Sequence, residues 1–159
     1  MAVPDKTIDP KILDCAKAEF LEKGYMNASL RQICANAGVT TGALYKRYSG
    51  KEALFNALVQ DVIDDIEKVI SDRHVDYSKE TLTDTQLYHM WTLTEGYLDW
   101  WYNFLLERKD AFTLLLKCSE GTQYQSFQHD LVERICEETY RCYTAAATRG
   151  LVRNDISRR

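Results

Sequence analysis

Pro4 and Pro10 are the only prolines in this 159-residue sequence, and both come before its first apolar repeat. Proline is the residue that breaks a helix interior, because it lacks an N–H and its ring clashes with the preceding turn. From Lys11 onward nothing of that kind interrupts the chain, and apolar residues recur at spacings of three and four almost throughout. That period belongs to the helix, so the sequence predicts an all-α fold.

Helix boundaries follow from capping chemistry. Asp9 reads as an N-cap with Pro10 at the first helical position, where a missing N–H costs nothing. Ile12, Leu13, Ala16, Phe20 and Leu21 then form one face, and Gly24 ends the helix. The capping box SLRQ, Ser29 to Gln32, opens a second helix with Leu30, Ile33, Cys34 and Ala37 inward and Gly38 at its close. A short third helix runs from a Thr40 cap to about Tyr48. SGKE, Ser49 to Glu52, opens a fourth, whose Leu54, Leu58, Val62, Ile66, Val69 and Ile70 keep helical register for more than four turns.

Ser71 to Leu82 is polar and aperiodic and reads as a loop. TDTQ, Thr83 to Gln86, opens a fifth helix through about Leu106 that is apolar nearly all round, the pattern of a helix enclosed by others. A shorter helix over Asp110 to Cys118 follows, and then a long one from TQYQ, Thr122 to Gln125, to near Gly150.

The formal charge of −4 is the sum of opposed parts. Residues 1–51 carry eight Lys/Arg against five Asp/Glu, and the remainder carries twelve against nineteen. Between Lys23 and Lys51 five cations stand with no acid among them, a window that suits a polyanionic partner. Cys15, Cys34, Cys118, Cys136 and Cys142 are odd in number, form no CxxC pair and fall inside helical patterns, which fits reduced thiols in a cytoplasm. His74, His89 and His129 lack ligand spacing, so neither a metal nor another cofactor is expected. The start of the chain has no signal core, and no apolar run reaches the roughly 20 residues of a membrane span. No Ser/His/Asp or Cys/His set points to an enzyme.

Two short helices joined at a glycine turn, the second one basic and polar, form a helix-turn-helix arrangement, though the same pattern also fits a helical hairpin inside a bundle. The third helix has only Leu44 and Tyr48 as core anchors. Thr41, Gly42, Ala43, Tyr45, Lys46 and Arg47 are small, phenolic or cationic.

The stretch SLRQICANAGVTTGALYKRYSGKEALF resembles the N-terminal domain of the TetR family of bacterial transcriptional regulators. The resemblance rests on the Leu44–Tyr45 pair, the aromatic Tyr48 three residues later and Lys51 at the opening of the fourth helix, and it covers residues 7 to about 70. It implies a three-helix DNA-binding domain over residues 1–50. It also implies that the fourth helix links this to a helical ligand-binding and dimerisation domain over 51–159. Thr41, Gly42 and Lys46 would then face the groove, with Lys46 donating to guanine and Thr41 reading a thymine or another base edge. Tyr45 and the Thr40 hydroxyl suit phosphate oxygens. Lys51 adds its charge to the free N–H groups of the fourth helix. Arg31 reaches backbone or a groove edge, and Arg47 either touches DNA or pairs with an acid.

In the second half, aromatic residues fill a bundle core or, as the resemblance implies, line a cavity for a small molecule. Trp91, Glu95, Asp99, Trp101, Tyr102 and Tyr124 are the candidate lining. In the family a segment like Gly150 to Ile156 leads into two further helices that form most of the dimer interface, and this sequence has neither. The resulting expectation is a cytoplasmic, homodimeric, ligand-released repressor on a palindromic double-stranded operator. The alternatives are a helical small-molecule-binding or enzymatic domain without DNA binding, or a truncated regulator.

Overall fold

The computed structural model describes residues 8–72, 83–85, 87 and 95–156. Among these residues the chain forms helices and no strand: α1 Ile8–Asn27, α2 Leu30–Ala37, α3 Thr41–Tyr45, α4 Lys51–Asp72, α5 Glu95–Glu107, α6 Lys109–Lys117 and α7 Phe127–Thr148. The all-α expectation holds. The loop expected over Ser71 to Leu82 lies largely outside the described residues, as does Gln86 of the third capping box.

The chain divides into two compact units, Met1–Glu67 with Arg108–Gln128, and Lys68–Glu107 with His129–Arg159. Helix α6 joins the first unit because it is fastened to α1 at both ends. Lys17 Nζ stands 3.7 Å from Asp110 Oδ2, and the Tyr25 N–H donates to Cys118 O at 2.9 Å. The spans 17 to 25 and 110 to 118 run in the same direction over about 12 Å of helix, so α6 lies alongside α1 and parallel to it.

The first unit's core is built from the faces that periodicity picks out. Ile12, Ala16 and Phe20 of α1, Ile33 and Cys34 of α2 and Leu44 of α3 are buried. In α4 the buried stripe is Leu54, Phe55, Val59, Val62 and Ile66. Phe55 and Val59 were not in the predicted stripe; Phe55 is covered by Phe20 and Tyr25 of the first helix and by Tyr124 from the turn after α6. Phe20, Tyr25 and Phe55 form an aromatic cluster with centroids 5.3 to 5.9 Å apart, and Tyr124 joins it at 6.3 Å from Phe55.

Local boundaries differ from the sequence reading in four places. Helix α1 starts at Ile8, so Asp9 sits inside its first turn and does not cap it. It breaks at Gly24 (φ 72, ψ 164), and the turn after the break carries it on to Asn27. Helix α4 begins at Lys51 with Leu54 N–H on Gly50 O, which leaves Ser49 one residue too early to cap. Finally, α7 begins at Phe127 and not at Thr122, because Thr122 Oγ1 donates to Ser119 O at 2.7 Å and accepts the Tyr124 N–H at 3.0 Å. Those two bonds close a tight turn and hold the segment out of the helix.

The second unit buries Phe104 of α5, Cys142, Tyr143 and Ala146 of α7, and Leu87. The Tyr143 hydroxyl donates to Arg153 O at 2.6 Å and accepts the Ile156 N–H at 3.1 Å, which folds the segment after α7 back onto it. The enclosure expected for the fifth helix is not complete among the described residues. Leu98, Trp100, Tyr102, Leu105 and Leu106 are each at least 43% exposed.

Candidate nucleic-acid interface

The turn between α2 and α3 is set by hydrogen bonds that the residue types make available. Ser29 Oγ accepts the Gln32 N–H at the start of α2. Gly38 adopts the left-handed conformation (φ 68, ψ 31), and the next residue's N–H, that of Val39, closes on Cys34 O at 3.0 Å. This is the glycine-terminated helix end in which two free carbonyls find donors. Thr40 then caps α3, its Oγ1 accepting the Ala43 N–H at 3.1 Å. Helix, turn and helix are thereby fixed within the 16 residues from Leu30 to Tyr45.

The second arm of the Ser29–Gln32 capping box is not formed by Gln32, whose amide donates to Asn36 instead. The Ser29 N–H goes to the Glu19 carboxylate of α1. The sequence did hold a signal for this, since Glu19 stands in apolar register with Ile12, Ala16 and Phe20. An acid there must find donors inside.

Helix α3 presents two unlike sides. Leu44 is wholly buried, while Thr41, Gly42, Tyr45 and Lys46 are exposed on the opposite face, Tyr45 to 57%. Arg31, the second residue of α2, is also exposed. Thr40 uses one lone pair of its hydroxyl for the cap, and its O–H remains a donor.

The other two cations assigned to this face are differently engaged. Lys51 Nζ donates to Met26 O at 3.0 Å and to Ala28 O at 3.1 Å, and lies 4.7 Å from the centre of the Tyr25 ring. A cation on the free carbonyls at the end of α1 satisfies groups that otherwise lack donors. One ammonium proton is left for another acceptor. Arg47 is half-buried, its Nε 2.6 Å from Asp9 Oδ1 and its Nη1 donating to Ala43 O at 3.3 Å.

Burial raises the Tyr25 phenol above its ordinary value, with the Glu52 carboxylate adding to the effect. Burial and the Asp9 charge likewise raise Tyr48, against a smaller lowering by Arg47. Both phenols remain neutral donors at physiological pH.

The candidate pocket residues are distributed between the units. Trp101 packs edge-on against Trp100 and Phe104, with centroids at 5.1 and 5.6 Å, while Trp100 and Phe104 stack at 5.2 Å. Asp99 is exposed on α5, and Tyr102 is 66% exposed. Tyr124 belongs to the first unit, where its hydroxyl donates to Gln60 Oε1 at 3.4 Å. Glu95 is the first residue of α5, and Trp91 lies outside the described residues. Among the described residues no three His, Cys, Asp or Glu side chains converge as metal ligands, and no helix is long and apolar enough to cross a membrane.

Residues 12–58 match a family described as bacterial regulatory proteins, tetR family. Over 58 residues the chain is 36% identical to the HTH-type transcriptional regulator UidR of Escherichia coli strain K12, a match that covers 36% of this chain and 28% of that protein. Over 69 residues it is 32% identical to the HTH-type transcriptional repressor DhaR of Mycobacterium sp. strain GP1, covering 43% and 35%. The chain thus matches only about a third of the length of these relatives. A solved TetR-family member from Streptomyces coelicolor A3 shares the fold with a TM-score of 0.58 at 22% identity, over 99% of this chain and 71% of that one.

Proposed function

We propose, for a chain whose residues 12–58 match the tetR family of bacterial regulatory proteins, a DNA-binding transcriptional regulator: a homodimeric repressor that leaves a palindromic operator when a small molecule binds. The observation that carries this reading is the two-sided third helix, in which Leu44 is anchored in the core and Thr41, Gly42, Tyr45 and Lys46 stand together in solvent. Lys46 donates to guanine O6 and N7, and Thr41 reads the neighbouring base edge. Gly42 lets the backbone approach the groove closely, while Tyr45, the Thr40 hydroxyl, Arg31 and the third proton of Lys51 bind phosphate oxygens and set the register. Two heads on half-sites one helical turn apart convert these contacts into specific affinity.

The second unit is the proposed receptor. Asp99 and the Trp100, Trp101 and Phe104 rings stand along α5. Aromatic faces near an acid favour a flat apolar or cationic ligand. A ligand preferring the form whose heads are badly spaced lowers DNA affinity by the factor through which DNA lowers its own. The role is regulatory and not enzymatic, and its place is the cytoplasm, where the DNA is.

The test is selection of duplexes from a random-sequence pool by the purified chain, followed by a salt titration of the winner. With about five to eight phosphates neutralised per dimer, the logarithm of affinity should fall with the logarithm of salt at a slope of about −4 to −7. A flat response, or no binding at about 50 mM salt, ends the reading.

A further inference from the structure

Helix α3 has five residues and one buried side chain. A helix of that length does not hold itself together in water, so its angle to the groove is set by what it is tied to. Thr40 ties its beginning and Leu44 its middle. Its end is tied by Arg47. The Arg47 Nη1 donates to Ala43 O, a carbonyl of α3 itself, and Nε stands 2.6 Å from Asp9 Oδ1 in the first turn of α1. The Arg47 side chain is only 21% exposed, and the Asp9 oxygen that faces it is buried and, among the described residues, accepts no hydrogen bond, so charge and not an aligned N–H holds the pair.

We propose that Arg47 is a positioning residue and not a DNA contact: bridged between Ala43 O and Asp9, it fixes the angle at which α3 presents Thr41 and Lys46. The inference rests on the DNA-binding reading above. One planar guanidinium serves both partners at once, a directed N–H for the carbonyl and its delocalised charge for the carboxylate, which makes it a bracket where an ammonium would be a swivel. Two of its five N–H groups face these partners, and swinging the plane out to a phosphate would release the carbonyl of α3 and leave a shielded carboxylate oxygen without its cation. An acid on α1, remote from the groove in sequence, thereby governs how well the adjoining base contacts fit.

The test uses the full chain with Asp9→Asn, Arg47→Gln and the double variant. Affinity is measured for a duplex selected by the parent chain and for its scrambled counterpart. Asn is isosteric with Asp at a half-exposed side chain, and helical circular dichroism checks that each variant is folded. As a bracket, each single change lowers the selected-to-scrambled ratio about tenfold. The double change adds little, because both break one interaction, and the salt slope stays at the parent's value. As a phosphate contact, Arg47→Gln makes the slope shallower by about 0.9 per head, and Asp9→Asn leaves affinity unchanged or tightens it. Either of these last two results overturns the proposal while the DNA-binding reading stands. A parent chain that binds no duplex overturns both.

Discussion

The Glu19 carboxylate accepts the backbone N–H of Ser29, ten residues further along, at 3.1 Å. It also receives Lys23 Nζ at 2.9 and 3.1 Å, and the whole residue is 3% exposed. One buried acid thus caps α2 from α1 and sets the first arm of the helix-turn-helix.

Burial alone would raise the Glu19 carboxyl, but the Lys23 ammonium and the Ser29 N–H together hold it below its ordinary 4.5. A carboxyl lowered in the folded state stabilises the fold above its unfolded value, and that stability disappears as pH falls through the folded value. Glu19→Gln should therefore cost about 1–3 kcal/mol near neutrality, the range for a buried partner left unsatisfied. The difference from the parent should shrink as pH drops below 4.5. Urea unfolding across a pH series reads it, and a difference that is flat in pH would show that the charge of Glu19 is not what matters.

Gly121 and Met26 make the second constraint. Gly121 has φ +81, and a β-carbon there would meet the Met26 sulfur. The backbone conformation opposes any side chain, whereas the Met26 thioether sits on a flexible side chain that is 59% exposed and can swing aside. Gly121→Ala should destabilise the first unit by about 1–3 kcal/mol through the backbone, and Met26→Ala in the same chain should return little of it, because the exposed Met26 side chain already moves aside. Full recovery in the double variant would mean that the backbone conformation costs nothing.

The features that were legible in the sequence are those whose partners lie within one turn. Ser29 and Thr40 cap their helices as spacing predicts, and Gly38 ends α2 as its missing side chain allows. The buried faces of α1 and α2 follow from periodicity. The features that were not legible depend on partners that meet only in three dimensions. Gln32 had a competitor in Glu19, Asp9 was drawn to Arg47, and Lys51 found carbonyls more than 20 residues back. Phe55 needed Phe20 and Tyr25 of α1 and Tyr124, more than 60 positions further along the chain, to become core. Local spacing carries no information about such returns of the chain.

The cysteines should differ sharply in reactivity. Cys136 is exposed, whereas Cys34, Cys118 and Cys142 are buried, and burial pushes the Cys34 and Cys118 thiols above their ordinary value. The thiolate is the nucleophile, so a raised value and a closed surface act in the same direction. With an aromatic disulfide reagent, Cys136 should react first, and Cys34 and Cys118 only as the protein unfolds. Early labelling of Cys34 in native protein would mean that α2 opens locally.

Lys46 and Lys51 are both cations near the reading helix, but their surroundings predict different losses. Lys46 is exposed, so Lys46→Ala should change stability by no more than about 0.5 kcal/mol. Its effect should fall on discrimination, relaxing the preference at one position of the selected duplex by about 1–3 kcal/mol. Lys51→Ala frees the carbonyls of Met26 and Ala28 and should lower stability by about 1–2 kcal/mol. It should also weaken selected and scrambled duplexes alike and make the salt slope shallower by about 0.9 per head. Unfolding and binding measured on the same two variants separate the cases. A Lys51→Ala chain of unchanged stability would mean that the two carbonyls are equally well served by water. A Lys51→Ala chain with an unchanged salt slope would make Lys51 a fastening of α1 to α4 alone, and the phosphate contacts would then rest on Arg31, Tyr45 and Thr40.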